Sequence, residues 1–188
     1  MDPLITSFLA ALLAEWGDKT QLLIVALAVR FGKPRAVLAG AALAALANCL
    51  LAAFLGDLIS GLITARALSL LVAVALLFAG VAGLLRSGTP DMAANWKRGA
   101  FVTTLVCLFL LEFGDKTQFL TFALAAQYDA FALAAAGATA GVIAANAPAV
   151  ALAGRFGAMV PVRAVRLSIA ALFLFAGALV AVNALRLV

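Results

Sequence analysis

Leu13–Ala28 reads LAEWGDKTQLLIVALA, and Leu110–Ala125 reads LLEFGDKTQFLTFALA. The two windows lie 97 residues apart and are identical at 11 of 16 positions. The likeness continues outward at the same offset: Arg66-Ala67 corresponds to Arg163-Ala164, and Phe78-Ala79-Gly80 to Phe175-Ala176-Gly177. Asn48 and Asn146 correspond at an offset of 98, which implies one inserted residue. The chain is therefore read as an internal duplication. Its expected units are residues 1–86, a linker over 87–98, and residues 99–188.

Composition fixes the solvent of these units. Of 188 residues, 67% are hydrophobic and 11% charged, whereas a soluble domain carries about 25% charged residues. With a mean hydropathy of +1.21, there is too little charge to cover a water-facing surface. The expected class is all-α integral membrane protein. At about 20 residues per span, the length allows six helices and leaves no room for a soluble domain. Six apolar runs stand near Leu4–Val29, Ala36–Leu55, Ala67–Leu85, Gly99–Ala126, Phe131–Ala153 and Val165–Leu185. No run alternates in the manner of a barrel strand. Three spans per repeat is an odd number, so the second repeat enters the bilayer from the opposite side. The expected architecture is six transmembrane helices as two inverted-topology three-helix repeats, which in secondary transporters place a site near the midplane.

Basic residues set the orientation. The loops after the first, third and fifth runs hold Arg30, Lys33, Arg35, Arg86, Lys97, Arg98, Arg155, Arg163 and Arg166. The opposite side holds Arg66 and Arg186. Nine against two places the odd loops in the cytoplasm and both termini outside. The net charge of +5 is thus a topology signal, and no nucleic acid partner is expected. Cys49 and Cys107 fall inside apolar runs and read as packing residues. The absence of histidine removes the commonest ligand of zinc, copper and nickel. Met1-Asp2-Pro3 lacks the basic start of a secretory signal, so the first run is expected to remain in place. The Ala- and Leu-rich composition points to a multi-pass protein of a plasma (inner) membrane.

The most similar window is also the most costly one to keep in lipid. Glu15 lies about 11 residues, or about 17 Å, into its run, and Glu112 is comparably deep. Each charged side chain at that depth costs at least about 2.5–3.5 kcal/mol. Glu15, Asp18 and Lys19, with Glu112, Asp115 and Lys116, therefore need mutual pairing or a bound ion. Glu and Asp at i, i+3 are expected on one helical face, so two crossing helices would gather four carboxylates. Four carboxylates and two lysines sum to −2, the complement of one divalent cation. Carboxylates with Thr20 and Thr117 nearby are hard oxygen donors, suited to calcium, manganese or magnesium. Left empty, such carboxylates favour protonation, so metal binding should release protons.

Other motif positions have two readings each. Gly17 and Gly114 loosen the helix as hinges and offer carbonyls, or they permit close helix packing. Lys19 and Lys116 are counter-ions to the carboxylates, the favoured reading, or stand-ins for the cation when the site empties. Gln21 and Gln118 shape the site or bond between helices. Asn48 and Asn146 lie inside apolar runs and are second-tier site candidates. Pro148 can kink the fifth run. Trp16 and Phe113 read as packing, and Asp57 and Asp129 as solvated residues at span ends.

The doubled Glu-x-Gly-Asp-Lys-Thr motif, in the first and fourth of six runs, resembles the family of manganese/calcium cation–proton exchangers, which holds bacterial manganese exporters and a Golgi manganese and calcium transporter. The resemblance covers nearly the whole chain, and both motif copies are complete. It implies export of a divalent cation from the cytoplasm in exchange for H+, with Mn2+ favoured and Ca2+ the alternative. It assigns metal handling to Glu15, Asp18, Glu112 and Asp115. No cofactor is expected beyond the transported Mn2+ or Ca2+. The partners are the bilayer, the metal ion and protons. One chain holds both repeats, so a monomer suffices and a homo-oligomer is compatible. Competing readings are a divalent cation channel, an exporter of a small organic cation, and, ranked last, a membrane enzyme.

Overall fold

The computed structural model describes residues 2–85 and 98–185. Most of the expected 87–98 linker, with Arg86, Gly88, Pro90, Asp91 and Lys97, lies outside the described residues, as does Arg186. Among the described residues every regular element is helical. The order is α1 (Pro3–Glu15), α2 (Lys19–Phe31), α3 (Pro34–Ser60), α4 (Ala65–Leu84), α5 (Ala100–Glu112), α6 (Lys116–Tyr128), α7 (Phe131–Leu152), a 3-10 turn (Ala153–Arg155), the short α8 (Phe156–Met159) and α9 (Val162–Leu185). Four of these, α3, α4, α7 and α9, are long and apolar enough to cross a membrane. Their outer faces carry large apolar side chains, among them Phe54, Leu58, Val74, Val81, Leu172 and Phe175.

The first and fourth apolar runs are not continuous helices. Each is two 13-residue helices of about 20 Å, joined end to end by a three-residue break. Trp16 is extended, Gly17 has φ +77°, and Asp18 is extended again before α2 begins. Phe113, Gly114 and Asp115 repeat this sequence, with Gly114 at φ +76°. Left-handed backbone is open to glycine and costs other residues about 1–2 kcal/mol. The expectation that Glu and Asp share a helical face is therefore corrected. Glu15 closes α1 while Asp18 caps α2, and Glu112 and Asp115 are divided in the same way.

Small residues bring the helices together. Gly137 and Gly141 of α7 lie against the backbone of α1 at Leu4 and Phe8. Gly80 and Gly83 of α4 face Ala170 of α9, and Gly177 of α9 faces Leu77. Gly40 and Gly56 set α3 against α5 and α6. In lipid, where burial of apolar surface does little for association, such close backbone approach is the main source of helix packing. Alanine fills most of the remaining interior, including Ala44, Ala53, Ala75, Ala123 and Ala138. Pro148 lies inside α7, and the helix stops at Ala153, a residue with φ +41°. The first-half counterpart, α3, runs unbroken to Ser60.

Candidate cation-binding site

Both breaks are held by the same device. The Gln21 side-chain oxygen accepts from the Gly17 N–H at 2.9 Å, and Gln118 accepts from Gly114 at 2.6 Å. The amide of Gln21 then donates to the Ala145 carbonyl of α7 at 2.8 Å, and that of Gln118 to the Asn48 carbonyl of α3 at 3.4 Å. Each glutamine thus satisfies a backbone donor freed by the break and ties the break to a long neighbouring helix. Of the two readings of these glutamines, interhelical bonding is the one the hydrogen bonds show.

The breaks bring the two motifs into contact. Lys116 forms an ion pair with Asp18, and Lys19 pairs with Asp115 at 3.4 Å. Each lysine therefore neutralises the aspartate of the other copy. Lys116 also lies 3.8 Å from its own neighbour Asp115, and the Thr117 hydroxyl donates to Glu15. Glu15, Asp18, Glu112 and Lys116 are buried, as are Thr20, Gln21 and Thr117. The half-helices add to this field. The C-terminal ends of α1 and α5 favour cations, and the N-terminal ends of α2 and α6 favour the aspartates that cap them.

Five buried oxygens in this region have no hydrogen-bond partner: Glu15 Oε2, Thr20 Oγ1, Asn48 Oδ1, Asp115 Oδ2 and Asn146 Oδ1. All belong to the residues singled out from the sequence. Buried polar atoms are almost always satisfied, and a cation is one kind of partner that such oxygens accept. Asn48 also donates to the Phe109 carbonyl at 3.3 Å, and Asn146 to Val142 at 3.0 Å. The carboxylates do not yet form a chelate. Among the described residues no three acidic, histidine or cysteine side chains stand close enough to hold one metal ion.

Two further placements differ from the sequence reading. Phe113 is 62% exposed, and with Phe78, Phe119 and Phe122 it lines an open groove of about 490 Å³. No carboxylate lines that groove, so it has the character of a lipid-facing surface. Arg163 and Arg166, expected in a loop, lie in the first turns of α9. Arg166 helps line a cavity of about 10 Å³ with Trp16, Asp18 and Lys116. The available signal was a broken repeat, since position 69 in the first half is serine.

The model of a family described as "Divalent cation/proton antiporter GDT1" matches residues 3–91 and again residues 100–187. A Vibrio cholerae protein described as "Putative manganese exporter" is 36% identical over 177 residues, which are 93% of this chain and 88% of that protein. No solved structure matches. The chain belongs to the GDT1 family of divalent cation/proton antiporters, and it is a transporter, not an enzyme.

Proposed function

We propose that this chain exports Mn2+ from the cytoplasm in exchange for H+, with Ca2+ as the alternative cargo. Glu15, Asp18, Glu112 and Asp115 supply the charge of the site, and Thr20, Thr117, Asn48 and Asn146 supply neutral oxygens. The observation that carries this reading is the set of five unpartnered buried oxygens around two lysine-bridged motif copies. A buried carboxylate is neutralised by a proton or by a metal ion, so the two compete for one site, and that competition is the basis of exchange. The V. cholerae relative's description supports manganese over calcium. Oxygen donors alone do not separate the two.

In this reading the end-to-end half-helices each complete one span. The chain then has six spans in two inverted repeats, both termini outside, in the plasma membrane, as the nine-to-two basic bias supports. The α4 and α9 placements support alternating access. The start of α4 rests against the far end of α6, where Ser69 donates to Gln127 at 3.5 Å. The start of α9 rests instead beside Gly17, at the near end of α2, through Val162 and Arg166. A cavity of about 470 Å³ opens there, lined by Gly17, Leu22, Leu84, Val162, Arg163, Arg166 and Leu167. The two equivalent helix pairs thus stand open on one side and closed on the other.

The test is metal uptake into liposomes that hold the purified protein and a trapped pH dye, comparing the wild type with Glu112→Gln. The expected result is saturable Mn2+ flux with opposite proton movement, lost in the variant. Flux without proton movement would replace the exchanger with a channel, and no divalent flux from a folded protein would remove the metal site.

A further inference from the structure

The two motif lysines are equivalent in the sequence and different in the structure. The Lys19 side chain is 31% exposed and reaches Asp115 alone, from the edge of the cluster. The Lys116 side chain is 6% exposed, pairs with Asp18 and lies 3.8 Å from Asp115. Its neighbour Thr117 holds Glu15. A single ammonium group therefore stands among the acidic groups of both copies. Among the described residues no three-carboxylate cluster is close enough to hold a metal, whereas two of the acids, Asp18 and Asp115, meet at one lysine.

We propose that Lys116 is a tethered stand-in for the transported cation, holding the carboxylates together in the metal-free protein and yielding Asp18 and Asp115 when the metal enters. This rests on the reading of the four carboxylates as the metal site. An ammonium group has one positive charge and three donors, so it satisfies at most three of the eight carboxylate oxygens and leaves the others free. Glu15 Oε2 is free in that sense, and Asp115 Oδ2, 3.8 Å from the ammonium, has no hydrogen-bond partner. A divalent ion carries twice the charge and takes six or more oxygens, so it outcompetes the lysine while the lysine prevents the empty site from standing at full negative charge. Tethering also makes release easier, because the departing metal is replaced at once by a group already in place. The ammonium has little room to withdraw. The cavity beside it is about 10 Å³ and is bounded by Arg166, Ile169, Ala170 and Phe173 of α9, so displacing Lys116 presses on α9. Metal binding is thereby coupled to the helix whose placement differs between the two halves.

The experiment measures Mn2+ binding to purified protein in detergent at one fixed pH, alongside flux in liposomes, for the wild type, Lys116→Gln and Lys19→Gln. Lys116→Gln is expected to bind Mn2+ at least 10-fold more tightly while transporting it more slowly, and Lys19→Gln to change binding by a clearly smaller factor. Equal or weaker binding by a folded Lys116→Gln protein overturns the proposal while leaving the metal site intact, as does an equal effect at the two lysines. A wild type that binds no divalent ion overturns the metal site and this proposal together. A second variant guards against loss of folding. Lys116→Ala, purified with methylammonium, is expected to show competition between methylammonium and Mn2+ that the wild type lacks. Without that competition in the folded Lys116→Ala protein, the stand-in role falls.

Discussion

Thr117 donates its hydroxyl to Glu15, whereas its counterpart Thr20 is fully buried with no partner. The same residue type at the same motif position thus has two different energetic roles in this state. A hydrogen bond to a charged group contributes about 1.5–3 kcal/mol, and removing a buried hydroxyl that bonds to nothing costs little. Thr117→Val is therefore expected to lower unfolding stability by about 1.5–3 kcal/mol, and Thr117→Ser to restore it. Thr20→Val is expected to be neutral or stabilising. Denaturant titration in detergent measures the difference, and equal losses at the two threonines would contradict the asymmetry. At this scale the candidate residues were legible. Charge at midplane depth is expensive enough that Glu15, Asp18, Glu112 and Asp115 stand out from the sequence. Which lysine meets which aspartate was not legible, because the pairs join residues 96 and 98 positions apart and local spacing carries no information on such contacts.

At the scale of elements, the apolar runs announced helices, and the four long ones were found nearly where the runs stand. The breaks were only half legible. A glycine in the middle of each charged run hinted at a weak point, but a helix and a break share the same hydropathy, and the Gln at i+4 that accepts from each glycine N–H has no distinctive pattern on its own. The two breaks match in backbone angle yet differ in surroundings, and this separates two substitutions that the sequence makes look alike. A methyl group on Gly114 meets no atom within 4 Å, so Gly114→Ala suffers only the left-handed backbone, about 1–2 kcal/mol. A methyl group on Gly17 would stand 3.0 Å from Arg166 Cβ and from the Val162 carbonyl, so Gly17→Ala adds a clash with α9 to the same strain. Thermal unfolding in detergent is expected to rank wild type above Gly114→Ala and Gly114→Ala above Gly17→Ala. A reversed order would mean that α9 does not rest on the first break.

At the scale of the molecule, the duplication was plain from 11 identities in 16, but a repeat predicts equivalence, and the informative feature is where equivalence fails. The relation of α4 to α6 should be copied by α9 and α2. Ser69 meets Gln127, near the far end of α6, and the 97-residue offset turns that pair into Arg166 and Arg30. Arg166 instead lies beside Gly17, at the opposite end of α2, whose span from Lys19 to Arg30 is about 17 Å. One sequence relation has produced two packings, so no reading of the sequence alone could choose between them. If the two packings interchange during transport, the contacts must interchange as well. Ser69→Cys with Gln127→Cys is expected to cross-link with a short bifunctional thiol reagent in the metal-free protein, and Arg30→Cys with Arg166→Cys is not. The native Cys49 and Cys107 are buried and leave the background low. Under Mn2+ and an opposing pH gradient the second pair should begin to cross-link and the first should decline, with flux stopping once either bridge forms. Cross-linking of both pairs at rest would show that the asymmetry is absent in the membrane. A pattern unchanged by metal and gradient would show that the asymmetry is fixed in the fold and takes no part in transport.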